Sequence, residues 1–112
     1  MLGIDILQIE QVKKIYQKHE GLFLEKVLNA REIEELSHKN KRAFFRDLSY
    51  AIAAKEAIFK ALSDDRLFWK DIMILGLPEK IDVRIRQKDY NQKIALTFSC
   101  ARDMVIAQAI AF

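Results

Sequence analysis

Apolar positions change their spacing partway along the chain. The opening run LGIDIL alternates weakly and is rich in Ile and Leu, which predicts a short buried strand over residues 2–7. Ile9, Val12, Ile15 and Tyr16 then recur at helical spacing, with Gly21 as the expected stop. FLEKVL reads as a further short helical piece. NAREIEEL places Asn29 three residues before Glu32, a capping box that predicts a helix start. HKNKR is an expected loop, and a long helix is predicted over about 42–62. Ser63, Asp64 and Asp65 prefer turns and end it. The second half contains four β-like runs, DIMILGL, KIDVRIRQ, KIALTFSC and DMVIAQAIAF. In the second of these Ile81, Val83 and Ile85 point one way and Asp82, Arg84 and Arg86 the other, a period of two. Turn-type residues at 89–92 and 100–103 separate the last three runs, which predicts an antiparallel meander. A strand, then helices, then a meander predicts an α+β fold, with the helices packed on one face of a mostly antiparallel sheet that the first strand joins.

Composition narrows the class. The 112 residues suit one domain spanning 1–112, and 51% hydrophobic with 31% charged residues is ordinary for a soluble globular chain. Three glycines and one proline leave no stretch that reads as a linker. The apolar runs fall short of a membrane span. The N-terminus has no basic n-region and carries Asp5 and Glu10, so it does not read as a signal peptide. Cys100 is the single cysteine, and no Cys/His pair has zinc-ligand spacing, which fits a reducing cytoplasm. A net charge of +3 suits acidic or phosphorylated partners, though a plain solvated surface is the simpler reading. The basic residues are scattered with no aromatic platform among them, which argues against nucleic acid.

Candidate chemistry sits in AAKEAIFKAL, residues 53–62. Ala53, Ala54, Ala57, Ile58 and Ala61 fill one apolar arc, and Glu56 and Lys60 lie one turn apart at its border. They form either a surface (i, i+4) ion pair or part of a site beside small neighbours. Asp5 interrupts a run of Ile and Leu, where it either caps an exposed strand end or is buried and needs a partner. If Asp5 and Glu56 converge, the two carboxylates repel unless a proton or cation lies between them. Mg²⁺ fits, because it takes one or two carboxylates and fills the rest of its shell with water and phosphate oxygens. Lys60 would then face the same phosphate, an assembly suited to phosphoryl transfer. The remaining candidates have plainer readings. Arg84 and Arg86 suit a solvated sheet face, His19 and His38 a surface, Cys100 a small core position, and Phe68 and Trp69 the core at the start of a strand.

On these residues the sequence resembles the phosphopantetheinyl transferases, in particular the short holo-acyl-carrier-protein synthase type. Gly3-Ile4-Asp5 with Ile9-Glu10 matches the family's opening strand and helix, and residues 52–61, IAAKEAIFKA, match its helical Lys-Glu-Ala-x-x-Lys element. FLEKVLNAREIEEL, the Trp69 to Ile72 segment and the C-terminal run to Phe112 follow in the family's order. The resemblance implies transfer of the 4′-phosphopantetheine arm of coenzyme A to a serine of an apo acyl carrier protein, as in fatty acid biosynthesis. Adenosine 3′,5′-bisphosphate is left behind. It implies Mg²⁺ on Asp5 and Glu56, and catalysis by Glu56 and Lys60, with Glu56 or a metal-bound water taking the serine proton. Lys60, Ser63 and Cys100 stand at coenzyme A-binding positions. The small residues beside Glu56 are expected to leave room for the metal and its phosphates. The resemblance also implies a homo-oligomer, a trimer, with each site shared between neighbouring subunits, in the cytoplasm and without nucleic acid or membrane partners. Some family positions differ: Ala51 and Ile52 replace an Arg-aromatic pair, Ser63 to Arg66 a glycine-rich turn, and Cys100 a histidine. These bear on coenzyme A binding more than on the metal. The alternative is a relative that binds a carrier protein or nucleotide without transfer.

Overall fold

The computed structural model describes residues 1–64, 66–86 and 93–112. Strand β1 (Leu2–Gln8) leads into helices α1 (Ile9–Val27), α2 (Ala30–Ser37) and α3 (Lys41–Leu62). A 3-10 turn at Trp69–Asp71 opens β2 (Ile72–Leu75), followed by β3 (Asp82–Ile85), β4 (Ile94–Ala101) and β5 (Met104–Ala111). The class is α+β, as the pattern predicts. Local chemistry explains the helix starts. Asn29 and Glu32 exchange the two hydrogen bonds of a capping box at α2, and the Asn40 side chain accepts from Ala43 N–H at α3. At the other end of α3, Ser63 turns left-handed at φ 51°.

Gly21 does not stop a helix, because α1 runs through it in one piece. A mid-helix glycine costs about 1 kcal/mol relative to alanine. Val12, Tyr16, Phe23, Leu24 and Val27 on the same helix pack onto the core and outweigh that cost. The expected single meander is also corrected. β1, β5 and β4 form one antiparallel sheet in that order, while β2 and β3 pair separately. The outer edge of β2 is engaged by α2, since Ile74 N–H donates to Glu32 Oε2 at 3.0 Å. The expected turn at 89–92 lies outside the described residues. Among the described residues no helix is long and apolar enough to cross a membrane.

Helix α3 crosses the sheet against β1 and β5. Its small stripe, Ala53, Ala54, Ala57 and Ala61, meets an equally small stripe on β5, Ala107, Ala109 and Ala111. Gly3 completes the contact from β1. A Cβ placed there would run into the Ala57 carbonyl oxygen and come within 2.8 Å of Ala61 N. The small residues therefore serve close approach of helix and sheet, not room for a ligand as expected. Two other expectations change. Trp69 opens the 3-10 turn with its ring edge-on to Phe59 at 5.4 Å, and Phe68 is 73% exposed instead of core. Cys100 is exposed on β4.

Candidate active site

Side chains alternate along β1, so Gly3, Asp5 and Leu7 share the face turned to α3. Because Gly3 lets the strand lie directly on Ala57, Asp5 is carried to the level of Glu56 and Lys60. Asp5 is mid-strand opposite Ala107, not at an exposed strand end. Its side chain is 16% exposed. Oδ1 accepts from Lys60 Nζ at 3.2 Å, while Oδ2 is buried with no hydrogen-bond partner. Lys60 also donates to the Ile4 carbonyl at 2.9 Å, so it reaches across to β1. Glu56 is half-buried, and burial first, then the charge of Asp5, raises its pKa above the ordinary 4.5, with Lys60 pulling the other way.

The arrangement carries a deficit of positive charge. The charge of Asp5 adds to the cost of ionising the half-buried Glu56, and one Asp5 oxygen has nothing to bond. The Lys60 side chain is 53% exposed, and exposed ion pairs of this kind are worth about 0–1 kcal/mol, so Lys60 is readily redirected. Among the described residues no group of three or more His, Cys, Asp or Glu gathers as a metal cage. An all-oxygen pair with an orphaned oxygen fits a hard cation that brings its own water and phosphate ligands.

Ser63 joins this end of the molecule. With Glu56, Phe59, Leu67, Phe68 and Trp69 it lines an open cleft of about 480 Å³. Asp64 takes the Arg66 guanidinium at 2.9 Å; Asp65 lies outside the described residues. Cys100 is elsewhere. It lines a second cleft with Lys13, Lys41, Arg42, Arg46 and Arg102. Burial, then Cys100 beside it, pushes the Tyr50 hydroxyl above its usual pKa. One chain thus brings together Asp5, Glu56, Lys60 and Ser63 and leaves Cys100 on a separate basic surface.

Two buried residues beside the site escaped the sequence reading. Lys55 is fully buried, and its ammonium donates to Glu32 Oε1 at 2.7 Å, the Val27 carbonyl at 2.8 Å and the Trp69 carbonyl at 3.0 Å. Burial pushes its pKa down and Glu32 pulls it back up. The capping box accounts for Glu32 in sequence and hides this second use of the same carboxylate. The sequence signal of Lys55 burial is its helical neighbours at i±3, i±4 and i±7, Leu48, Ala51, Ile52, Ile58, Phe59 and Leu62, which are all apolar.

Known proteins resemble the chain along its whole length. A model of the 4′-phosphopantetheinyl transferase superfamily matches residues 1–109. A holo-[acyl-carrier-protein] synthase of Chlorobaculum parvum is 32% identical, covering 97% of this chain and 95% of its own. That of Thermodesulfovibrio yellowstonii is 34% identical over 95% of this chain and 92% of its own. The Helicobacter pylori holo-[acyl-carrier-protein] synthase, solved in complex with coenzyme A, superposes with a TM-score of 0.83 at 27% identity and full coverage of both chains. The Gly-Ile-Asp strand, the Lys-Glu-Ala helix and the shape they build together agree with these matches: the chain belongs to the 4′-phosphopantetheinyl transferase superfamily, among the holo-[acyl-carrier-protein] synthases.

Proposed function

We propose that residues 1–112 form one transferase domain that moves the 4′-phosphopantetheine arm of coenzyme A onto a serine of an apo acyl carrier protein in the cytoplasm. The observation that carries the reading is the buried, unpartnered Asp5 Oδ2 beside a Glu56 whose pKa is raised. In the transfer the serine oxygen bonds the phosphorus that carries pantetheine. The bond from that phosphorus to the oxygen bridging to adenosine 3′,5′-bisphosphate breaks, and the serine proton goes to a base. Asp5 and Glu56 would hold Mg²⁺, which when bound neutralises charge on the diphosphate. Glu56 takes the serine proton as general base. Lys60 leaves Asp5 for the diphosphate and stabilises the departing charge.

Incubating the chain with coenzyme A, Mg²⁺ and several apo carrier proteins, then weighing the carriers, tests this. A phosphopantetheine adduct is expected. Coenzyme A binding with no adduct on any carrier would leave the relative that binds without transfer. Lys60→Ala is expected to lower turnover at least about tenfold, roughly 1.4 kcal/mol of transition-state stabilisation. Unchanged turnover would return Lys60 to a surface ion pair.

The assembly we propose is a homotrimer with shared sites. The sheet face turned away from α3 exposes Leu2, Ile4, Ile6, Met104 and Ile110, an apolar surface that a second copy would cover. The separation of Cys100 and its basic neighbours from Asp5 and Glu56 supports the same reading. In a closed ring the basic cleft of one copy would meet the anionic nucleotide of coenzyme A held by the next. Light scattering at micromolar concentration is expected to give three copies. A strict monomer whose activity is insensitive to dilution would remove the shared site.

A further inference from the structure

Lys55 stands next to Glu56 in sequence but is wholly enclosed, where Glu56 is half-buried. An ammonium has three N–H donors, and here each has an acceptor. Glu32 is equally committed: Oε1 also accepts Asn29 N–H, and Oε2 accepts Ile74 N–H. Apolar residues of similar volume often replace a buried ion pair with no loss of stability. Stability alone therefore does not explain why a charge sits here. Two of the three acceptors are backbone carbonyls, Val27 at the end of α1 and Trp69 in the 3-10 turn, so one ammonium ties both segments to α3.

The second of these carbonyls belongs to the cleft. Trp69 places its ring edge-on to Phe59, one turn along α3 from Lys55 and Glu56. The two rings, with Leu67 and Phe68, form the apolar side of the cleft, whose acids are Glu56 and Asp64. The Trp69 carbonyl closes its own turn by accepting Ile72 N–H, and the Lys55 ammonium anchors that turn to α3. Without the ammonium, the aromatic side of the cleft has no polar tie to the helix that carries Glu56 among the contacts described. The gem-dimethyl and methylene segments of the pantetheine arm, set between its amides and hydroxyl, match such a wall, whereas the coenzyme's phosphates match the Asp5 and Lys60 side.

We infer that Lys55 is a positioning residue: by tethering the Trp69 carbonyl it fixes the Phe59–Trp69 wall beside Glu56 against which the pantetheine arm of coenzyme A is held. The inference rests on the transferase reading. Trp69 is the only tryptophan of the chain, so its emission reports the wall directly.

Lys55→Met alone strands the Glu32 carboxylate in the interior and is expected to unfold. Lys55→Met combined with Glu32→Gln removes both charges and is the informative variant. It is expected to fold, with Trp69 emission shifted to the red and KM for coenzyme A raised about tenfold, while kcat changes less. A pair that only holds the fold would give parental emission and parental KM once the double variant has folded, and that result overturns the inference. Should the double variant fail to fold, Trp69→Leu decides, since it alters the wall and leaves the buried pair in place. A raised KM with an unchanged melting temperature supports the inference, and an unchanged KM overturns it. Failure of the transferase reading is distinguishable, because the parent chain would then label no carrier, whereas the emission is read without substrate.

Discussion

Asp5→Ala and Glu56→Ala are each expected to stop phosphopantetheine transfer while leaving the fold intact. The loss should reach at least about a thousandfold, roughly 4 kcal/mol, because phosphoryl transfer is catalysed mainly by positioning and charge neutralisation, and both acids serve these. The fold should tolerate both changes. Asp5 buries an oxygen that bonds nothing, so its removal relieves a cost. Glu56 faces Asp5, and alanine is the best helix former at its position. The pH dependence gives an independent check without metal or substrate. Glu56 has a folded pKa above its unfolded value near 4.5. Its ionised form is thus disfavoured in the native state. Any stability it contributes is present below 4.5 and is lost as pH rises through the raised value. Relative to the parent, Glu56→Ala should melt higher at neutral pH, and the difference should shrink as pH falls below 4.5. Thermal melts of both proteins across that range measure it. Transfer retained within about tenfold of the parent by either variant would remove that residue from the site.

The parts of this site that were legible in sequence are those written in short-range patterns. Asn29 and Glu32 are three residues apart, and the helix start they predict is where α2 begins. The apolar arc around Ala53 and Ala57 predicts α3, and the interruption of Ile and Leu by Asp5 marks the residue that proves to be partly buried and half unpartnered. What was not legible depends on contacts distant in the chain. The alanines next to Glu56 look like space for a ligand until β5 supplies facing alanines, 50 residues further on, from Ala57 to Ala107. Whether β3 pairs with β4 is not decided by alternation, which both strands share. It is decided by packing and by an α2 carboxylate at the edge of β2. Cys100 stands at a coenzyme A position by resemblance, yet only the three-dimensional arrangement shows that it and Glu56 face different clefts of one chain.

Gly3→Ala is expected to be strongly destabilising, and Gly21→Ala to have the opposite sign. At Gly3 the new Cβ meets the Ala57 carbonyl oxygen and lies 2.8 Å from Ala61 N, both backbone atoms of the central helix. No rotamer relieves such a contact, so strand and helix must separate. Overpacking a core typically costs about 1–3 kcal/mol, and a clash against backbone belongs at or beyond the upper end. For a domain of this size each kcal/mol lowers Tm by about 4 °C, so a fall of about 12 °C or more is expected. At Gly21 nothing lies within 4 Å of the added carbon, and the position is inside α1. There alanine gains about 0.4–1 kcal/mol through helix propensity and a less flexible unfolded chain, a rise of a few degrees. The two variants carry the same chemical change, so composition and propensity scales predict nothing that separates them in sign at Gly3. Melts followed by circular dichroism would show the contrast. A Gly3→Ala protein that melts within about 2 °C of the parent would mean that β1 does not lie directly on Ala57. The placement of Asp5 beside Glu56, which depends on that contact, would fall with it.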